Sequence, residues 1–178
     1  MRHHIKTRLL TLLAATALVA CMRTGNQKSK TNRQETRVEQ TVSQGDALLN
    51  ILNANQQSLV VLNNDSLSYY NGRGVSDLLA LLTEAPDRLK DAVVADKMVG
   101  RAAAVLMAAA GVREVHTNII STPALQVLRE AGIPVFFDEE VPQILNRDRT
   151  GQCPIDALLN EADNVEECVA ILKARFQN

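Results

Sequence analysis

Ala95-Asp96-Lys97-Met98-Val99-Gly100-Arg101-Ala102-Ala103-Ala104 is the stretch on which the reading of this chain turns. An adjacent acid and base stand ahead of an apolar, alanine-rich run that stops at Ala110-Gly111. The pattern predicts a helix from Asp96 to Ala110, ended by the glycine. Its small side chains suit close packing against a sheet.

The flanks supply that sheet. Upstream, Val42 to Ala54 carries Ala47, Leu48, Ile51 and Leu52 at helical spacing. Ser58 to Leu62 and Leu67 to Tyr70 are short apolar runs around the turn formers Asn63-Asn64-Asp65, and predict a hairpin. Asn71-Gly72-Arg73-Gly74 breaks the strand pattern, and Ser76 is expected to cap a helix over Asp77 to Thr83. The piece from Glu84 through Leu89 to Val94 reads as a connection. Downstream, Val112 to Ile120 reads as a strand, and Pro123 opens a helix that ends near Gly132. Pro134 to Phe137 reads as a further strand, and Pro154 to Glu161 and Val165 to Phe176 as helices. Elements alternating after an initial hairpin predict an α/β fold, a mixed sheet between helices in three α/β/α layers. Phe136-Phe137 and Tyr69-Tyr70 are expected as core and sheet cover.

Composition narrows the class. The 178 residues are 46% hydrophobic with 3% aromatics and no Trp, so the core rests on Leu, Val, Ile and Ala. A net charge of -1 gives no general attraction to polyanions, and no nucleic-acid partner is expected.

The amino terminus reads as a targeting segment. Arg2, His3, His4, Lys6 and Arg8 precede an apolar run from Leu9 to Ala20 that is too short to span a bilayer. Leu18-Val19-Ala20-Cys21 is similar to the lipobox of bacterial lipoproteins, which implies a signal peptide over 1–20 and an acylated Cys21. Residues 21–44 are polar and read as a tether, with the folded domain over 45–178. The expected location is the cell envelope, lipid-anchored to a bacterial membrane. A start at Met22 would instead give a cytoplasmic protein.

Gly72-Arg73-Gly74, Asp96-Lys97-x-x-Gly100-x-Ala102-Ala103, Ser121, Asn146-Arg147 and Gly151-x-Cys153-Pro154 together resemble the family of domain of unknown function 1893. The resemblance runs from about Ser58 to Phe176 and implies a zinc-less relative of the cytidine deaminase fold. That fold begins with a hairpin and continues with strands alternating with helices. In cytidine deaminases a His or Cys with a nearby Glu opens one helix, Pro-Cys-x-x-Cys opens the next, and the three ligands hold zinc. The corresponding starts here carry Asp96-Lys97 and Pro123-Ala124-Leu125-Gln126-Val127. His116 falls in a strand, and Cys153 and Cys168 lie fifteen positions apart without metal-clip spacing. No zinc and no other cofactor is expected. Asp156 departs from the Glu expected of the family.

These features place a ligand site at converging helix starts headed by Asp96 and Ser121, with Gly74, Lys97, Gly100, Arg147 and Cys153 around it. Each residue also has a plainer role. Asp96 can cap its helix, Gly100 can serve packing, and Gly72-Arg73-Gly74 can be a turn or an anion cradle. Cys153 stands before Pro154 at an N-cap, where amides lower a thiol pKa, and is a candidate nucleophile or a structural thiol. A Cys153–Cys168 disulfide is left open. Two functions follow: a membrane-tethered deaminase-like domain that binds a small polar or nucleotide-like ligand, with Asp96 and Cys153 as candidate catalytic residues, or a non-catalytic interaction module on the same scaffold.

Overall fold

The computed structural model describes residues 44–176; Cys21, the segment before it and the tether up to residue 43 lie outside the described residues. β1 (Leu59–Asn63) and β2 (Ser66–Tyr70) form the expected hairpin, Asn63 opposite Ser66. Asn64 makes the turn at φ 51°, a left-handed backbone that Asn tolerates better than most residues. The sheet order is β2-β1-β3-β4-β5: β1 runs antiparallel to both neighbours, and the remaining strands are parallel.

The largest departure from expectation is at its centre. Val93–Val99 is a strand, β3, and Asp96 and Lys97 lie within it rather than at a helix start. Helix α3 begins five residues later, at Arg101, with Gly100 as the N-cap, and ends at Ala110 before Gly111. Val93, Val94 and Ala95 are wholly buried, so this half of β3 is covered on both faces and lacks an alternating signature. The strand also changes face part-way. Val94 and Val99 both belong to the core beneath the helices, yet five residues separate them, an odd number against a side-chain period of two. The switch lies at Asp96, whose Oδ1 accepts from the Met98 N–H at 2.9 Å. β4 (Glu114–Ser121) does the same between Val115 and Ile120, where Thr117 Oγ1 donates to the Ile119 carbonyl at 2.9 Å.

Helices cover both faces in three layers. On one side lie α2 (Ser76–Glu84), α3, α4 (Thr122–Glu130) and α6 (Val165–Phe176), packed around the alanine-rich α3. On the other, α1 (44–54) sets Leu48 and Leu52 on Val60, Val93 and Ala95. Gly45 of α1 lies directly on the His116 ring, where any side chain would collide with the imidazole. His116 is wholly buried, is bonded to Glu114, and stacks on Phe136 with centroids 4.8 Å apart.

β5 (Val135–Val141) is an edge strand that runs four residues past the expected end at Phe137. Asp138-Glu139-Glu140 is exposed, which the strand tolerates because its outer edge meets water. Phe136 and Phe137, expected as core, are 38% and 36% exposed. The helix predicted from Pro154 is a single turn, α5 (Pro154–Ala157). α6 follows the sequence reading; Asn164 Oδ1 accepts from Glu167 N–H while Glu167 Oε2 accepts from Asp163 N–H, a reciprocal cap.

Candidate functional site

A cleft of about 290 Å³ opens between β3, the start of α2 and the Cys153–Asp156 segment. Three glycines bring its walls together. A side chain at Gly72 would strike the Asp77 carboxylate. Gly74 sits at φ 61°, and an added Cβ would lie 2.7 Å from Ile155 Cδ1. Gly100 faces Asp156. The walls are otherwise apolar, from Leu59, Val75, Leu78 and Ile144.

Polar groups reach the cleft from each element. The Asp77 carboxylate accepts from the Gly72 N–H at 2.5 Å, and Val75, not Ser76, occupies the N-cap position of α2. Gly72-Arg73-Gly74 thus makes a strand-to-helix turn, the plainer of its two readings, with its first amide bonded to a carboxylate. Asp96 keeps part of its surface open to the cleft while protein encloses the rest of the carboxyl. This burial pushes its pKa up to about 7; the Met98 N–H pulls it down, and the charge of Asp77 adds to the rise. Asp96 is thus neither a helix cap nor a paired anion. It is a carboxyl that gains and loses its proton near neutral pH, beside a second carboxylate.

Asp156 forms the far wall. Only 5% exposed, it accepts from the Ala102 N–H at 2.9 Å and caps α3 across space, since Gly100 has no side chain to do so. Burial raises its carboxyl above the usual range, against the Ala102 and Arg101 amides and the Arg101 charge that hold it down. Arg101 itself donates to the carbonyls of Leu159, at 2.5 Å, and Ala162, at 2.8 Å, tying α3 to the loop before α6.

The family described as TM1506, Domain of unknown function (DUF1893), matches residues 47–176. The chain belongs to that family. A solved DUF1893 family protein (TM1506) from Thermotoga maritima is similar at 30% identity and a TM-score of 0.68, covering 74% of this chain and 88% of that one. Acinetobacter baumannii RibD is similar at 18% identity and a TM-score of 0.35, over 45% of this chain and 27% of that one. Comparison with curated proteins finds no match.

In this DUF1893 chain the motif residues divide among three neighbouring cavities. Gly74, Asp96, Lys97, Gly100 and Cys153 meet in the cleft. Ser121 does not: it lines an adjoining cavity of about 470 Å³ with Arg101 and Gln152, and Asp156 borders both. Its Oγ caps α4 by accepting from the Ala124 N–H at 3.3 Å, as its place before Pro123 suggests. The idea of two helix starts converging at Asp96 and Ser121 therefore fails, since Asp96 is on a strand. Arg147 lines a third cavity, of about 910 Å³, which shares Met98 and Ile144 with the cleft.

Cys153 stands at the N-cap of α5 and is half-buried, whereas Cys168 is buried in the helical core; both are free thiols. His116 lies beneath α1. These three side chains do not fit a shared zinc ion, and among the described residues no three His, Cys, Asp or Glu groups gather as metal ligands. Sequence reasoning missed Asp77 as a cleft residue. Its signal was the glycine five positions earlier, which leaves room for a carboxylate to fold back.

Proposed function

We propose that this DUF1893 chain is a cell-envelope protein, held to a bacterial membrane through an acylated Cys21, whose folded part is a cytidine deaminase-like domain. It binds a small polar, nucleotide-like ligand in the Asp96 cleft without zinc. The order of elements supports the fold reading, with an antiparallel hairpin leading into parallel strands that alternate with helices. One observation carries the binding reading: the Asp96 carboxyl sits in a mostly apolar cleft with Asp77, and among the described residues no cation pairs with either. Such a pair recognises N–H donors, as on an amino-bearing heterocycle, and takes or gives a proton near pH 7.

Titration with a panel of nucleosides and nucleobases, read by thermal stabilisation, tests it. Binding of an amino-bearing member that is lost in Asp96→Asn supports the reading; an unresponsive protein, or equal binding by the variant, refutes it. Metabolic lipid labelling that disappears in Cys21→Ser supports the anchor, and unlabelled wild type refutes it.

The rival reading is a non-catalytic module. Among the described residues Cys153 has no His at hand, since His116 of β4 is buried beneath α1, and that favours binding over nucleophilic catalysis.

A further inference from the structure

The loop that follows β5 is closed on itself. Leu145 and Gln152 form a bridge, and the Asn146 N–H donates to the Gly151 carbonyl at 2.9 Å. Asn146 Oδ1 accepts from the Thr150 N–H at 2.9 Å, and its Nδ2 donates to Thr150 Oγ1 at 3.0 Å. This ring of bonds displays Arg147 and Arg149 at its tip. Both line the cavity of about 910 Å³. Neither makes an ion pair among the described residues.

The position of this cavity matters as much as its charge. Met98, Ile119 and Val141 bring to it the carboxyl ends of the three parallel strands, the edge of an open α/β sheet at which ligands bind. Its one lining carboxylate is Glu139, so the arginines leave a positive excess. Met98 and Ile144 form a wall common to this cavity and the Asp96 cleft, and Met98 is 46% exposed. The two cavities thus adjoin across an apolar ridge, with a carboxylate pair on one side and an arginine pair on the other.

The geometry points to a bipolar ligand, with N–H donors toward Asp77 and Asp96 and a phosphate toward Arg147 and Arg149. The assignment of the phosphate end rests on the reading of the Asp96 cleft given above. Arginine suits the role, since its planar fork meets phosphate oxygens two at a time. A loop already fixed by Asn146 spends little ordering entropy on binding. The apolar ridge takes the face of a ring between the two ends.

The test titrates the full chain with cytidine and with cytidine 5′-monophosphate, a pair that differs by the phosphate alone. The monophosphate should bind about tenfold or more tighter than the nucleoside, the scale of one or two charge-assisted hydrogen bonds. Arg147→Ala/Arg149→Ala should erase that preference, bringing the monophosphate down to the affinity of cytidine, whereas Asp96→Asn should weaken both ligands. Cytidine bound as tightly as its monophosphate, or a preference that survives the double substitution, overturns the inference and leaves the cleft reading standing. Sodium phosphate alone, followed through the backbone amide signals of residues 145–150, separates the two claims if neither nucleoside nor nucleotide binds. Shifts lost in the double variant and kept in Asp96→Asn uphold the arginine subsite while the cleft reading falls; no response from wild type ends both.

Discussion

Gly100 and Asp156 share one space. A Cβ on Gly100 would come within 2.5 Å of Asp156 Oδ2, and the same carboxylate reaches past the bare glycine to cap α3 at Ala102. The glycine of the motif and the acid of α5 are therefore one device, built from positions 56 residues apart in the sequence.

Removing either half should show it. Gly100→Ala forces the carboxylate off the helix end, and Asp156→Ala removes it, each leaving a buried amide unbonded. Each change should cost about 1–3 kcal/mol of stability in urea unfolding. The double variant should lose clearly less than the two single losses added together. Strict additivity would show that the two do not act as a unit.

Asp96 gives stability a pH dependence of unusual sign. Its pKa rises from 3.8 to about 7 on folding, so the folded state holds this proton more tightly than the unfolded chain. The resulting stabilisation is complete below about pH 4 and is lost as pH rises through 7. Asp96→Asn, which keeps an acceptor for Met98 N–H and carries no charge, should match wild type in acid and exceed it in stability above pH 7. A difference between the two proteins that stays constant from pH 4 to 8 would disprove the assignment.

The contact of α1 with His116 predicts a local effect. Gly45→Ala places a methyl group into the imidazole, and α1 must lift to make room. Overpacking of this kind costs about 1–3 kcal/mol. Amide exchange should accelerate across 44–54, whose Leu48 and Leu52 lose their seat on the sheet, while α3 and β4 stay protected. Unchanged protection of 44–54 would contradict the packing described.

The two thiols should differ in reactivity. Cys153 is half-buried at the cleft, while Cys168 is 1% exposed and burial pushes its thiol pKa up, against the lowering charge of Arg101. In a Cys21→Ser background, a thiol reagent should label one site quickly, and Cys153→Ser should remove that fast phase. Fast labelling that persists in Cys153→Ser would place the reactive thiol elsewhere.

Much of the architecture was legible from patterning: the hairpin, the alanine helix up to Gly111, the Ser121-Pro123 start and the last helix each carry a local signal. β3 was hidden because Asp96-Lys97 interrupts an apolar run at the point where the strand changes face, so its charges look like a helix head. β5 was cut short because an edge strand can carry three consecutive acids. For the site, the glycines and Asp96 stood out by residue type. The joining of Gly72 to Asp77 and of Gly100 to Asp156 did not, because a missing side chain says nothing of which carboxylate fills its place.

The acids of β5 have one more consequence. A strand edge with no partner among the described residues invites a second copy to pair with it, and here any such copy would bring its own Asp138, Glu139 and Glu140 against the first set. That crowding of like charge opposes edge-to-edge pairing. The resistance of this edge to pairing between copies is thus written along seven residues at the rim of the sheet.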